Sequence, residues 1–234
     1  MKNTLCTILL FLLALSAQAQ KPNAIEATKA SEILSNKSLR NQLRKESTVL
    51  GIPFRSIGPS IMGGRVVEIK VNPENSADFF VAYASGGLWR TQNMGTTFTP
   101  LFDHEIAITI GAFDVNWESG EIWIGTGEVN SSRSSYAGVG MFHSSNWGET
   151  WQHQGLEDSQ HIGRVIIDKS NPSRVWVASL GRLYSKGGGG LFTTNDMGKT
   201  WETSLSLEDA GIVDLVYSQD KNILIASSWE RTRK

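Results

Sequence analysis

Apolar positions in this chain come in short alternating runs, and they recur. Arg65–Val71 (RVVEIKV), Ile110–Val115 (IGAFDV), Arg164–Asp168 (RVIID) and Ile212–Tyr217 (IVDLVY) each place apolar residues on one side of an extended segment. That period of two predicts half-buried β-strands. A polar turn follows each run, twice as Asn-Pro, at Asn72-Pro73 and Asn171-Pro172. Proline fixes φ and drives its predecessor out of the helical region, so these pairs predict turns. Second apolar runs come next: Phe79–Ala84, Glu121–Thr126, Arg174–Ser179 and Asn222–Ser227. Glycine-bearing connections then lead into third strands at Gly87-Leu88-Trp89, Gly140-Met141-Phe142 and Gly190-Leu191-Phe192. Short final strands begin at Phe98, Trp151 and Trp201.

Between the third and fourth strands one motif occurs three times: Ser/Thr, any, Asn/Asp, any, Gly, any, Thr, aromatic. Its members are Thr91, Asn93, Gly95 and Phe98; Ser144, Asn146, Gly148 and Trp151; and Thr194, Asp196, Gly198 and Trp201. The glycines stand 53 and 50 residues apart. A catalytic nucleophile does not recur at a fixed period, whereas a structural device does. The Asn/Asp oxygen is expected to bond backbone N–H groups two residues on, as an Asx turn, and the glycine to supply positive φ. Four short hairpin-linked strands per unit of about 50 residues predict an all-β fold, a β-propeller of four-stranded blades. The boundaries read as blades at 54–103, 104–156, 157–207 and a partial one at 208–234, about three and a half in all. An unpaired edge is expected where the fourth stops, which reads as the N-terminal part of a longer propeller.

The first residues follow a different pattern. Lys2, an apolar run from Leu5 to Leu15, and Ala17-Gln18-Ala19 predict a signal peptide at 1–19, cleaved after Ala19, and an exported protein. The run is too short to span a bilayer. The only cysteine, Cys6, lies inside it, so the mature chain is expected to carry no disulfide and no Cys-ligated metal. Residues 20–53 are polar, with Ile25, Ile33, Leu34, Leu39 and Leu43 at a loose helical spacing; they read as a weak helix or a flexible lead-in. A net charge of −1 over 234 residues gives no electrostatic footprint for nucleic acid or an anionic membrane. The four histidines show no metal-ligand spacing, and Gly187–Gly190 lacks the Lys-Ser/Thr of a phosphate loop. Neither a metal nor another cofactor is expected.

The turn motif resembles the Asp-box of BNR repeats, found in sialidases, the sortilin-type propeller and xyloglucan-degrading propellers. From Phe54 to Lys234 the chain resembles secreted bacterial proteins with a sortilin-like N-terminal propeller. The resemblance is carried by FRSIGPSIMGGRVVEIKVNP, ASGGLWRTQNMGTTF, IWIGTGEVNSSRSSYAGVGMFHSSNWGETW and HIGRVIIDKSNPSRVWVASLGRLYS. Members are often labelled glycosyl hydrolase. Two enzymatic relatives depart from the chain at defined positions. The Phe-Arg-Ile-Pro motif of sialidases is not matched at Phe54-Arg55-Ser56-Ile57, and the catalytic Asp of the xyloglucanase Asp-x-Gly-Gly segment is replaced by Ala84.

Alternating strand direction puts the turn motifs on one face of the fold and the unrepeated loops on the other. Those loops are 128–139, 180–189 and the tail 229–234. Glu128, at a strand end after Gly-Thr-Gly, is the candidate carboxylate. Arg133, Arg182 and Arg231 are candidates to hold carboxylates or hydroxyls. Tyr136, Tyr184 and Trp229 are candidates to stack on a ligand, with Glu230 beside the last. Arg65 and Arg164 are expected near the central opening. The function expected is recognition of a protein, peptide or glycan on this face. The alternative is glycoside hydrolysis by paired carboxylates, Glu128 among them.

Overall fold

The computed structural model describes residues 28–52, 63–130, 135–183 and 187–230. The expected signal peptide at 1–19, the stretch Phe54–Pro59, and Arg133, Tyr184 and Arg231 lie outside the described residues. Three sheets have four strands each. The first is β1 (Val66–Val71), β2 (Phe79–Tyr83), β3 (Gly87–Thr91) and β4 (Thr99–Pro100). The second is β5 (Ile110–Asn116), β6 (Glu121–Thr126), β7 (Met141–Ser144) and β8 (Gln152–His153). The third is β9 (Ile162–Ile167), β10 (Val175–Ser179), β11 (Gly190–Thr194) and β12 (Glu202–Leu205). A fourth sheet contains β13 (Ala210–Ser218) and β14 (Ile223–Glu230). Within every sheet the strands lie in chain order and pair antiparallel.

The sheets stack face to face, and the core is the set of layers between them. Phe80 and Leu88 of the first sheet meet Phe113, Ile122, Ile124 and Phe142 of the second. Trp123 and Met141 of the second meet Val165, Val175 and Val177 of the third. Trp176 and Leu191 of the third meet Leu215, Leu224 and Ala226 of the fourth. The middle strands of the second and third sheets therefore alternate between two neighbouring sheets instead of between core and water, which is why they are so apolar. The first strands approach most closely: a Cβ on Gly111 would fall on the Ile162 carbonyl, and one on Gly163 on the Val213 carbonyl.

Pairing registers align the four units. A bulge follows Ile110, Ile162 and Ile212, so Leu215, Val165, Phe113 and Ile69 occupy one position, and Ala226, Val177, Ile124 and Val81 the position opposite. The strand expected at Asn222–Ser227 runs on to Glu230, which makes Trp229 and Glu230 strand residues rather than parts of a loop.

The turn motif forms the same cage three times, with a geometry different from an Asx turn. Oδ1 of Asn93, Asn146 and Asp196 accepts from the backbone N–H four residues on, at 2.9, 3.0 and 2.9 Å. The preceding hydroxyls of Thr91, Ser144 and Thr194 accept from the glycine N–H at 2.9, 2.9 and 2.8 Å. Positive φ is shared by two residues: Met94, Trp147 and Met197 precede their glycines at φ of 56°, 59° and 61°. The closing tryptophans point to the preceding sheet, where Trp151 Nε1 donates to the Leu101 carbonyl and Trp201 Nε1 to that of Gln154.

The lead-in contains a 16-residue helix, α1 (Ala30–Lys45). Ala30, Ile33 and Leu34 pack against the layer between the first two sheets. Lys37 pairs with Glu105 at 2.5 Å, and the Arg40 guanidinium donates to the His104 carbonyl. The contacts at His104 and Glu105 place α1 on the connection between the first and second sheets, at their loop end. No helix among the described residues is long and apolar enough to cross a membrane.

Candidate functional site

The loop face is organised from β6 outward. The Thr126 hydroxyl donates to the Gly140 carbonyl at 2.7 Å and accepts from Val139 N–H at 2.8 Å, closing the base of the 127–140 loop. Glu128 follows and is almost wholly buried, with 1% of its surface exposed. A buried carboxylate needs partners for both oxygens. Oε1 meets the Arg65 guanidinium and, at 2.5 Å, the Ser135 hydroxyl; Oε2 accepts from Asn130 N–H at 2.7 Å. Its backbone carbonyl meets His161 Nδ1 at 2.9 Å. Burial holds the pKa of His161 below the usual histidine value, against the opposing pull of Glu128. A neutral His161 therefore donates from Nδ1 to that carbonyl. Glu128 thus joins the first sheet to the second, and His161 joins the second to the third.

A cleft of about 600 Å³ opens beside this junction. One wall is the start of the helical lead-in, with Thr28, Lys29, Ser31 and Leu34; the other carries Glu157, Asp158, Gln160 and Arg182. The second wall is braced: Arg182 pairs with Asp158 at 2.5 Å, and Ser159 Oγ donates to the Gly188 carbonyl at 2.9 Å.

Below the loop face, the first strands line the centre with charge. Arg164 reaches Glu68 at 2.7 Å and Asp214 at 2.6 Å, so it bridges the first, third and fourth sheets. One level further, Lys70 pairs with Glu68 and Asp114, each at 3.1 Å. The carboxylates also satisfy backbone groups on the open edge of the next first strand: Glu68 accepts from Phe113 N–H and Asp114 from Ile167 N–H. Burial works against the Lys70 ammonium, but Asp114 and Glu68 outweigh it and raise its pKa. Burial likewise opposes ionisation of Asp214, and the bonds from Arg164 prevail, so its pKa lies below the usual carboxylate value.

Of the residues singled out from sequence, Arg65 and Glu128 are in direct contact, and Arg182 lies on the cleft wall. Tyr136 is exposed in the 135–140 stretch. Arg164 sits within the central charge network, Trp229 pairs with Gly211, and Glu230 pairs with Ala210 across the fourth sheet. Sequence reasoning missed Glu68, Lys70, Asp114 and Asp214. Their signal was a charge at alternate positions of otherwise apolar first strands. His161 was missed as well, and α1 carried no expectation of chemistry although it walls the cleft. Among the described residues no cluster of His, Cys, Asp and Glu is placed to hold a metal.

Comparison with known proteins settles the architecture. An ancestral GH74 enzyme superposes on 74% of this chain with a TM-score of 0.56 and 21% identity. The fold is a β-propeller. A GH74 enzyme from Niastella koreensis covers 70% of the chain at 18% identity, with a TM-score of 0.48. YCF48 bound to D1 peptide covers 76% at 16% identity, with a TM-score of 0.49. The propeller segment spans 23% of the first enzyme, 26% of the second and 57% of YCF48. No family profile matches the chain, and no curated protein does.

Proposed function

We propose that this chain is an exported recognition module, the N-terminal part of a longer, sortilin-like propeller of Asp-box blades. It binds a protein, peptide or glycan in the loop-face cleft between α1 and the 157–160 and 180–182 segments. The observation that carries this reading is the cleft itself: a concavity on the unrepeated face of mixed polar and apolar lining, with Lys29 on one wall and the Asp158-paired Arg182 on the other as partners for acidic or hydroxyl-bearing groups. Tyr136 supplies an exposed ring on the same face. The resemblance to sortilin-like proteins and the signal-peptide pattern support the export and the longer parent.

Glycoside hydrolysis is the second reading, and the GH74 fold-likeness favours it. Its chemistry needs two carboxyl groups flanking the scissile bond, about 5 to 9 Å apart. The carboxylates of the cleft, Glu157 and Asp158, are chain neighbours on one wall, and Asp158 is paired with Arg182. Glu128 has both oxygens occupied in holding its loop. Recognition therefore fits this arrangement better. The deciding test is a peptide and glycan binding screen on residues 20–234, run beside a reducing-sugar assay. Saturable binding weakened about tenfold in Arg182→Ala, without sugar release, is the expected result. Sugar release abolished by Glu157→Gln would overturn the reading in favour of the hydrolase.

A further inference from the structure

We infer that the joint between the second and third blades is an acid-operated latch: protons on His143 and His161 loosen it and free the 157–160 wall of the cleft. Release of a ligand by this loosening rests on the reading of the cleft as a recognition site; the latch itself does not. The joints on either side are pinned by guanidinium groups, whose charge does not change with mild acid. Between the first and second blades, Arg65 meets Glu128, and Arg90 lies 4.5 Å over the Trp147 ring while both Asp78 oxygens hold it at 2.9 and 2.8 Å. Between the third and fourth, Arg164 reaches Asp214 at 2.6 Å.

The second joint has imidazoles instead. His143 stands opposite Trp123 as Arg90 stands opposite Phe80, and Glu121 precedes Trp123 by two residues as Asp78 precedes Phe80. The ion pair of the first blade is thus replaced by one that needs a proton. His143 is 8% exposed, and its ring stacks on Trp123 with centroids 4.5 Å apart. Its Nε2 lies 3.8 Å from Glu121, beyond hydrogen-bond reach, and has no hydrogen-bond partner among the described residues. At the other end of the same joint, His161 is 2% exposed and bonded to the Glu128 carbonyl.

The charged groups that bear on these rings are few. Glu121 faces His143, whose other strand neighbour, Gln152, is uncharged; Asp114, opposite Trp123, is taken by Lys70 and the Ile167 N–H. Glu128 faces His161 but is already paired with Arg65. Burial outweighs both carboxylates and lowers the pKa of each histidine. The packing leaves no room for water to solvate a new charge: a Cβ on Gly127 would fall on the Gln160 carbonyl, and one on Gly125 on the Ile162 side chain. Protons therefore favour the parted joint. Of the remaining histidines, His104 is exposed, and His153 sits nearer solvent beside Glu157, packed on Phe142 on the first-blade side.

What the joint holds is one wall of the cleft. Gly138 N–H donates to the Gln160 carbonyl at 2.7 Å, and Ile162 N–H to the Gly127 carbonyl at 2.8 Å. These two bonds clamp the 157–160 segment to the second blade immediately beside His161. Deeper in the joint, Ile167 N–H crosses to Asp114 at 2.9 Å.

The test is amide exchange of the full chain, ¹⁵N-labelled, at pH 7.5, 6.5 and 5.5, corrected for intrinsic rates. At pH 5.5 a histidine that titrates normally once exposed favours opening by up to about tenfold. The amides of Gly138, Ile162 and Ile167 are expected to gain about that factor over the first joint's own crossings, Phe113 N–H to Glu68 and Trp151 Nε1–H to Leu101. His161→Gln should abolish the gain at Gly138 and Ile162, and His143→Gln the gain at Ile167. The parent chain decides the matter even where a variant folds poorly. Equal acceleration at both joints, or none at the second, would overturn the latch and leave recognition at the cleft standing. The rates are read without ligand, so a binding screen that fails removes the recognition reading and not the latch.

Discussion

At the turn end of the blades, Thr91, Ser144 and Thr194 accept the same glycine N–H, and Asn93, Asn146 and Asp196 the same threonine N–H. At the loop end the backbone bond from the end of each second strand to the start of the first repeats, but the side-chain bonds do not: Glu128 takes Arg65, Ser135 and Asn130, while the equivalent region of the third blade uses Arg182 with Asp158 and Ser159 with Gly188. Both ends are densely hydrogen-bonded, so the contrast is one of kind. The turn end bonds within its own motif and to the preceding blade, which makes it a fastener that any blade can use. The loop end uses side-chain pairs particular to each blade, within it for Arg182 and Asp158 and between blades for Arg65 and Glu128, and the cleft forms where the third blade's pair faces α1.

Removing the best-buried fastener should have the largest effect on stability. Trp151 packs edge-on against Phe102 and donates to Leu101. Trp151→Ala should cost about 3 to 5 kcal/mol, read as a fall in the denaturant midpoint at an unchanged slope. Loss of slope as well would mean that the first and second blades unfold separately.

On the loop end the matching experiment is Glu128→Ala. It leaves Arg65, Ser135 and Asn130 N–H without their shared acceptor, and should cost about 2 to 3 kcal/mol. The exchange rate of the Asn130 amide should rise beyond the global change, whereas amides of the three turn motifs should follow global stability alone. Equal loosening at both ends would erase the distinction between them.

A single hydroxyl tests the fastener at finer grain. Thr194→Val keeps the shape and removes the acceptor for Gly198 and Asp196 N–H, at an expected cost of about 1 to 2 kcal/mol. The same change at Thr91 should match it if the cages are interchangeable.

The fasteners were legible in the sequence because each is local: hydroxyl, amide or carboxylate, glycine and aromatic lie within one turn, and recurrence exposed them. The Asx expectation erred on which N–H is bonded, since two residues of positive φ carry the chain round to the fourth N–H rather than the second. Strand positions were legible for the same reason, except that β14 extends through Trp229 and Glu230, where no turn residue stops it. The loop end was legible only as a list of residue types. Glu128 stood out by its place at a strand end, but its partner Arg65 lies 63 residues away. His161, Glu68 and Asp214 gained their neighbours through blade stacking, which no local pattern encodes.

Acid should separate the two ends by pH. His161 has a lowered pKa in the folded state through burial, so between that value and 6.5 the unfolded chain binds the extra proton. Its contribution is complete above about pH 6.5 and declines as the pH falls below it. Asp196 is held at about 2 by bonds from the Thr200 hydroxyl, the Thr200 N–H and Thr194. Its contribution is complete above the ordinary aspartate pKa and is lost only as the pH falls from about 4 towards 2. Loop-end amides should therefore loosen near pH 6, and the third turn motif only near pH 3. His161→Gln should remove the loosening of the loop-end amides near pH 6, leaving any change at the buried His143 and the second transition in place.

The smallest effect on stability should come from Arg182→Ala. Its pairing with Asp158 is half in solvent, and exposed ion pairs contribute about 0 to 1 kcal/mol. The midpoint of unfolding should move little, while binding in the cleft should weaken about tenfold if the guanidinium meets the ligand. Lysine at this position keeps the charge but not the planar fork, so Arg182→Lys discriminates between a ligand that needs only a cation and one held through two parallel N–H bonds. If both variants bind as the parent does, the ligand does not touch this wall, and the cleft's other side, Lys29 and Ser31 at the start of α1, becomes the place to cut next.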